Sequence, residues 1–381
     1  METIKIGVAG LGFIGPAHIE AIRRIPGLEV VAVYHNGEDV EQKAKALGIP
    51  GYYQDFDAFV NHQGLDCVHI CTPNFLHYEM SKRALERGLH VVCEKPLATK
   101  IEEAEDLIRL ATEKGLVHAV HFNIRYYPMI RQMRMMREKG ELGEVYSILG
   151  SYLQDWLFHN TDYNWRLEPD QSGESRAIAD IGSHLMDSLE YITGLRIEEV
   201  MADFNTIHKK RMKPKKAVET YSGKLLKAAD YEEVPINTED HATVMVRLSN
   251  GNKGSITVSQ VAAGRKNRLT MEIAGAKQNI CWNSENPNEL WQGKRDEANN
   301  LLLRDPALFH PEAGKLISFP GGHNEGFPDT SKQMFREVYE AVSKKKQPDN
   351  APYPTFDDGL RELILCEKII ESNKKQAWVK V

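Results

Sequence analysis

Short runs of β-branched and other apolar residues recur through the first ~120 positions, each followed by an amphipathic stretch, and this alternation constrains the fold most strongly. Strands are expected at residues 4–9, 28–33, 65–71, 89–93 and 117–122, with helices at 14–24, 38–47, 75–87 and 101–114 between them. A strand that returns after each helix needs a crossover connection, so the sheet is parallel and covered on both faces. Gly10-Leu11-Gly12-Phe13-Ile14-Gly15 ends the first strand and opens the first helix. In that context Gly-x-Gly-x-x-Gly is the dinucleotide fingerprint. Its first glycine turns tightly, its second lets backbone approach a pyrophosphate, and its third lets helix and strand pack. The helix N-terminus then offers N–H groups and a positive dipole end to the phosphates, with Phe13 and Ile14 beside them.

The fingerprint also asks for an acid at the end of the second strand, where it binds the ribose hydroxyls of NAD. Here that strand ends Val33-Tyr34-His35-Asn36, with neither a carboxylate nor an arginine. His35 and Asn36 can hydrogen-bond a ribose or a 2′-phosphate, but they add no fixed charge at neutral pH. NAD is the expected cofactor, and nothing in these residues turns NADP away. Further along the same sheet edge come Cys71-Thr72-Pro73-Asn74-Phe75-Leu76-His77 and Glu94-Lys95-Pro96. Ligands of open α/β sheets bind along that edge, so Thr72, Pro73, Asn74, His77, Glu94 and Lys95 are candidate cofactor contacts.

Beyond about residue 140 the texture changes to strand candidates at 145–153, 198–207, 242–248, 253–261, 269–273 and 279–282, with Asn250-Gly251 as a hairpin turn. Helices return near 178–192, 324–344 and 356–372. This half is expected to be an α+β domain with a large, mostly antiparallel open sheet, and the chain to divide into domains 1–123 and 124–381. Helices are too few to cover both sheet faces, so a homo-oligomer, dimer or tetramer, is expected. Lys209, Lys210, Arg211, Lys213, Lys215 and Lys216 around Pro214 read as a solvated loop.

The helical stretch near 180 carries Asp180-Ile181-Gly182-Ser183-His184, with Asp180 and His184 four residues apart on one face. A neutral histidine can accept the proton of an alcohol, and a nearby carboxylate steadies the imidazolium that results. The same pair also serves as a plain structural contact in many helices. No third and fourth ligand stands at useful spacing, so no metal is expected. Forty-eight basic against 54 acidic residues leave a net charge of −6, which argues against a nucleic-acid partner. No apolar run approaches the roughly 18 residues of a membrane span. Five scattered cysteines without a CxxC pair point to a reducing compartment, with the cytoplasm as the expected location.

Taken in order, the glycine fingerprint, Cys-Thr-Pro-Asn-x-x-His, Glu94-Lys95-Pro96 and Asp180-x-Gly-x-His184 resemble the Gfo/Idh/MocA oxidoreductase family over essentially the whole chain. Ser259-Gln260-Val261, Gly264 to Arg268 and Pro320 to Pro328 look most like its levoglucosan and glycoside 3-dehydrogenase branch. The resemblance implies a Rossmann domain followed by an α+β domain, and hydride exchange between a nicotinamide and a sugar, pyranoside or cyclic polyol carbon. It assigns His184 as the base, Lys95 as the hydrogen-bond donor to the reacting oxygen, and Asp180 as the residue that orients a second hydroxyl. Asn123, Trp165 and Arg166 are added as cofactor neighbours. Arg125, Asp155, Trp156, Trp165 and His323 are added as partners or an apolar platform for a sugar. Two alternatives stand beside this reading: a dihydrodiol-dehydrogenase-like member with a non-sugar substrate, and a dinucleotide-sensing regulator without turnover.

Overall fold

The computed structural model describes residues 3–215 and 230–381, so Lys216 of the basic run lies outside the described residues. Six parallel strands form the first sheet: β1 (Ile4–Ala9), β2 (Leu28–Tyr34), β3 (Gly51–Tyr53), β4 (Cys67–Ile70), β5 (His90–Cys93) and β6 (His118–Val120). Their order is β3-β2-β1-β4-β5-β6, and every neighbouring pair is parallel. The strand order reverses between β1 and β4, which is the crevice where a doubly wound sheet binds its ligand. β4 and β5 are buried at every position, as strands covered on both faces must be. Crossover helices α1 (Ile14–Arg23), α2 (Val40–Ala46), α3 (Phe56–Val60), α4 (His77–Glu86) and α5 (Ile101–Glu113) supply the covering.

The chain divides into two compact units, Met1–Asn123 with Phe327–Leu363, and Ile124–Gly326 with Ile364–Val381. This differs from the single cut after residue 123 that the sequence suggested. The later segment belongs to the first unit because helix α10 (Phe327–Ser343) packs on α1 and completes its polar interior. Tyr339 donates to Nε2 of His69 at 2.7 Å, Ser331 lies 3.0 Å from Nε2 of His121, and Asn123 donates to Thr330 at 2.7 Å.

In the second unit, helix α6 (Pro128–Glu138) leads into β7 (Val145–Leu153). The short α7 (Pro169–Ser172) and then α8 (Ser183–Thr193) precede β8 (Ile197–Asn205), β9 (Lys210–Pro214) and β10 (Tyr231–Pro235). β11 (His241–Leu248), β12 (Lys253–Ser259), β13 (Arg268–Gly275), β14 (Asn279–Asn283), β15 (Glu289–Gly293) and β16 (Asn300–Leu303) follow. A one-turn α9 (Pro311–Gly314), helix α11 (Phe356–Lys375) and β17 (Val379–Lys380) finish the chain. Nine strands join in the order β16-β15-β14-β13-β7-β12-β11-β8-β17, antiparallel throughout except for the β7–β12 pair. One face carries Ile148, Val244, Ile256, Met271, Ile280 and Trp282 into a core shared with α6 and α8. Side chains that alternate with these on the other face include Leu149, Met245, Trp291, Leu301 and Leu303, which are 38–54% exposed. No helix among the described residues is long and apolar enough to cross a membrane, and no cysteine among them is in a disulfide.

The basic run corrects one expectation. Instead of a solvated loop, Lys210–Pro214 pairs with Tyr231–Pro235, and Arg211 is fully buried. Its guanidinium donates to the carbonyls of Leu157 and His159 and, at 2.7 Å, to Asp240, which also accepts from the buried Arg176. Burial alone would raise the Asp240 pKa, but Arg176, the backbone N–H of His208 and Arg211 together hold it below the ordinary value. A depressed carboxylate contributes stability above its unfolded pKa and loses it as pH falls. Asp240→Ala, which removes the carboxylate that two buried guanidinium groups share, is expected to destabilise the protein by about 3–5 kcal/mol. Urea unfolding at neutral pH measures this, and a loss under 1 kcal/mol would contradict it.

Candidate active site

In the first unit the backbone itself forms the cradle. Gly10 has φ +99°, and a Cβ there would lie 2.5 Å from the Cys71 carbonyl oxygen. A Cβ on Gly15 would lie 1.9 Å from the carbonyl oxygen of Gly10, so strand, turn and helix touch only because both side chains are absent. Gly12 has nothing within 4 Å of its Cβ position, which leaves the outer side of the turn open. Helix α1 has no side-chain cap and no acid in its first turn, so the protein supplies no competing anion at its N-terminus. These features fit a pyrophosphate. His35 and Asn36 follow β2 directly, beside the turn, since the amide of Gly10 donates to the Tyr34 carbonyl at 2.8 Å. Thr72, Pro73 and Asn74 are partly accessible after the buried β4.

Lys95 is the first partly accessible residue after five buried positions, His90 to Glu94. Beneath it Glu94 is not a ligand contact but a buried anchor. Its Oε1 lies 2.9 Å from Nε2 of His18 and 2.6 Å from Nδ1 of His121, while Oε2 accepts the Lys95 backbone N–H at 3.2 Å. Burial would raise the Glu94 pKa, yet His121 and the two ring contacts hold it well below the carboxylate range. Burial, reinforced by His121, lowers His18 to about 4, and burial together with His18 holds His69 well below the ordinary value. With His18 and His69 neutral, their tautomers follow. His18 and His121 donate to Glu94, His69 donates through Nδ1 to Nδ1 of His18 at 2.8 Å, and Tyr339 donates to His69. His18, Glu94 and His121 are compact enough to hold a metal, but as they stand they form a closed hydrogen-bond set.

In the second unit a π-helical turn, Ile178–Gly182, runs straight into α8. From Arg176 to Thr193 every residue is buried except Ala179, Asp180 and His184. The i,i+4 spacing therefore does present Asp180 and His184 on the one accessible strip of an otherwise sequestered helix. Asp180 is oriented from two sides: Gln260 donates from Nε2 to Oδ2 at 2.9 Å, and Arg166 Nε lies 3.4 Å from Oδ1. The Arg166 guanidinium lies over the Trp165 ring at 4.5 Å and 5.7 Å from that of Trp156. Glu239 anchors the start of the helical stretch, accepting from Ser175 Oγ at 2.8 Å and from the amides of Arg176 and Ile178 at 2.9 Å.

Several expected site residues turn out to support rather than face a ligand. His77 is buried with its ring nitrogens 2.6 and 2.7 Å from the carbonyls of Pro96 and Thr72, so it ties two loops together. Burial lowers its pKa, and the two carbonyl contacts oppose that shift. Asn123 is committed to Thr330, and Arg125 grips the buried Asp187 with its Nε at 2.9 Å. Asp155 accepts from Lys266 at 2.6 Å and from the amide of Gly264, so it braces that loop. His323 is exposed in a loop whose backbone carbonyls bind Arg304. Sequence reasoning missed Glu239 and the histidines beneath Lys95, and it noted Gln260 only within a motif; none stands at a spacing that announces its partner.

The family model described as "Oxidoreductase family, NAD-binding Rossmann fold" matches residues 4–122, and the GFO/IDH/MocA C-terminal domain model matches residues 130–281. Levoglucosan dehydrogenase of Pseudarthrobacter phenanthrenivorans is 29% identical, over 100% of this chain and 99% of its own length. Glucose-6-phosphate 3-dehydrogenase of Bacillus subtilis is 25% identical, over 97% and 96%. The solved structure of levoglucosan dehydrogenase in complex with NADH and levoglucosan superposes with a TM-score of 0.88 at 27% identity, covering 100% of both chains.

The histidine–glutamate set beneath Lys95 has a pH signature. His18 has a folded pKa of about 4 against 6.5, so the unfolded chain binds a proton that the folded one refuses. Stability is complete above pH 6.5 and falls as pH drops from there towards 4, with Glu94 adding to the loss below about 4.5. Urea titrations at pH 7.5, 6 and 5 are expected to show a falling midpoint, and His18→Gln should flatten the trend. An equal slope in that variant would contradict the assignment.

Proposed function

The chain belongs to the Gfo/Idh/MocA oxidoreductase family, and from that premise we propose that it is an NAD-dependent dehydrogenase acting on a secondary hydroxyl of a sugar, pyranoside or cyclic polyol. The observation that carries this reading is the selective opening of Asp180 and His184 in a buried helical stretch, with Lys95 opening in the same way after β5. A sensor without turnover has no use for an accessible base on a buried helix. Bound NAD would supply the hydride acceptor at its nicotinamide. His184 takes the hydroxyl proton, and the Lys95 ammonium donates a hydrogen bond to the oxygen as alkoxide character develops. Asp180, held by Gln260 and Arg166, accepts from an adjacent hydroxyl and so selects which carbon reacts. The Trp165–Arg166 stack suits the apolar face of a pyranose. Full-length likeness to levoglucosan dehydrogenase favours anhydro- and glycosidic sugars within this class. Cysteines outside any disulfide support a reducing, cytoplasmic setting.

NAD reduction followed by absorbance against inositols, aldoses and anhydro- or glycosidic sugars tests the reading. Turnover is expected with a ring polyol or pyranoside, and His184→Ala and Lys95→Ala should each lower kcat by about 10²- to 10⁴-fold. NADH affinity should change less than about threefold in the His184 variant. NADH binding with no turnover across the panel would favour the sensor instead.

The apolar outer face of the nine-stranded sheet also supports a homo-oligomer packed through that surface. Light scattering is expected to give a dimer or larger at micromolar concentration, and Trp291→Asp should shift it towards monomer. A monomeric wild-type protein would rule this out.

A further inference from the structure

The end of β2 lacks the expected acid, yet three charged or polar groups converge just beyond it. Lys43, in the second turn of α2, lies with Nζ 3.0 Å from Nε2 of His35 and 2.9 Å from Oδ2 of Asp39. Asp39 Oδ1 is in turn 3.5 Å from Nε2 of His35. The groups close over Gly37, where a Cβ would lie 2.6 Å from Asp39 Oδ1 and 2.9 Å from His35 Nε2. All three side chains remain partly accessible, at 21% for His35, 30% for Lys43 and 47% for Asp39. Because an ammonium can only donate, Nε2 of His35 is the acceptor and the ring proton sits on Nδ1. Partial burial and the Lys43 charge both lower the pKa of His35, keeping the ring neutral near pH 7.

In a dinucleotide fold this edge meets the adenosine ribose, where a carboxylate favours a 2′-hydroxyl and a cation favours a 2′-phosphate. Here one of each is present, locked together. We propose that the Asp39–Lys43 pair, with His35 between its members, reads the ribose 2′-position as an electroneutral clamp, so that the protein binds both NAD and NADP with little discrimination. This rests on the dinucleotide reading given above and extends it to the cofactor's second form. The His35 ring offers an Nδ1–H donor, which either a hydroxyl or a phosphate oxygen accepts. Asp39 acts against the phosphate and Lys43 acts for it. Removing one partner leaves the other's charge uncompensated, so the two substitutions must push selectivity in opposite directions.

The test is equilibrium binding of NADH and NADPH by nicotinamide fluorescence, with competition by adenosine 5′-phosphate and adenosine 2′,5′-bisphosphate as probes of the ribose end alone. The wild-type affinities should agree within about tenfold, since a tenfold ratio corresponds to only about 1.4 kcal/mol. Asp39→Asn should move the NADPH/NADH affinity ratio up by about tenfold, and Lys43→Met should move it down by a similar factor. Both residues sit on a partly exposed surface, and circular dichroism checks that each variant stays folded. A wild-type preference above about a hundredfold, or a shift of both variants in one direction, would overturn the proposal. If the wild-type protein binds neither dinucleotide, the failure lies with the dinucleotide reading itself, and the clamp falls with it.

Discussion

An ionised carboxylate cannot be left alone in a protein interior, and Asp240 and Glu239 are both almost completely removed from water. Their need for partners organises the second unit. Asp240 draws in Arg176 and Arg211, and through Arg211 it fixes the carbonyls of Leu157 and His159. Glu239 takes up the amides at the start of the helical stretch that bears Asp180 and His184. The amide of Gln260 donates to the Asp240 carbonyl, and its side chain donates to Asp180. β9, the start of β11 and the helix are thus held by two adjacent acids, and the accessible Asp180 is held by the buried Gln260 and the half-buried Arg166.

Glu94 repeats the principle in the first unit. It is anionic and buried, and its two oxygens are taken by two imidazoles and by the amide of Lys95. Around it the hydrogen-bond directions are forced, because a carboxylate only accepts and the neutral His18 ring has one donor and one acceptor. The carboxylate of Glu94 and the ammonium of Lys95 are neighbours in sequence with opposite tasks, one facing the interior and one facing outwards. A rigid amide beneath a flexible side chain limits where the ammonium can reach.

Much of this was legible in the residues. The glycine fingerprint, the alternation of strands with helices, the Asn250-Gly251 hairpin and the Asp180–His184 spacing all depend on local periodicity, and local periodicity survives folding. The failures share a cause as well. β9 and β10 form from a lysine-rich stretch because Arg211 finds a buried anion 29 residues away, which no local pattern records. α6 and the β15–β16 pair went unnoticed, although α6 buries Met129, Ile130, Met133 and Met136 at helical spacing. Glu94, His77 and Asn123 were placed on the right loops yet point inward, since position on a sheet edge does not say which way a side chain turns. Assigning residues 327–363 to the second domain failed because chain order was taken for spatial order.

That last feature bears on how the molecule is made. While the first 123 residues leave the ribosome, all six strands of the parallel sheet are available, but Tyr339 and Ser331 are not. His69 and His121 must wait for more than two hundred further residues of synthesis before their polar contacts are complete. Until then the polar interior of the first unit lacks these partners. The same discontinuity limits evolutionary shuffling. A recombination event that exchanged this half for another would need three junctions, one near residue 123 and a pair bracketing 327–363, to carry the whole interior across.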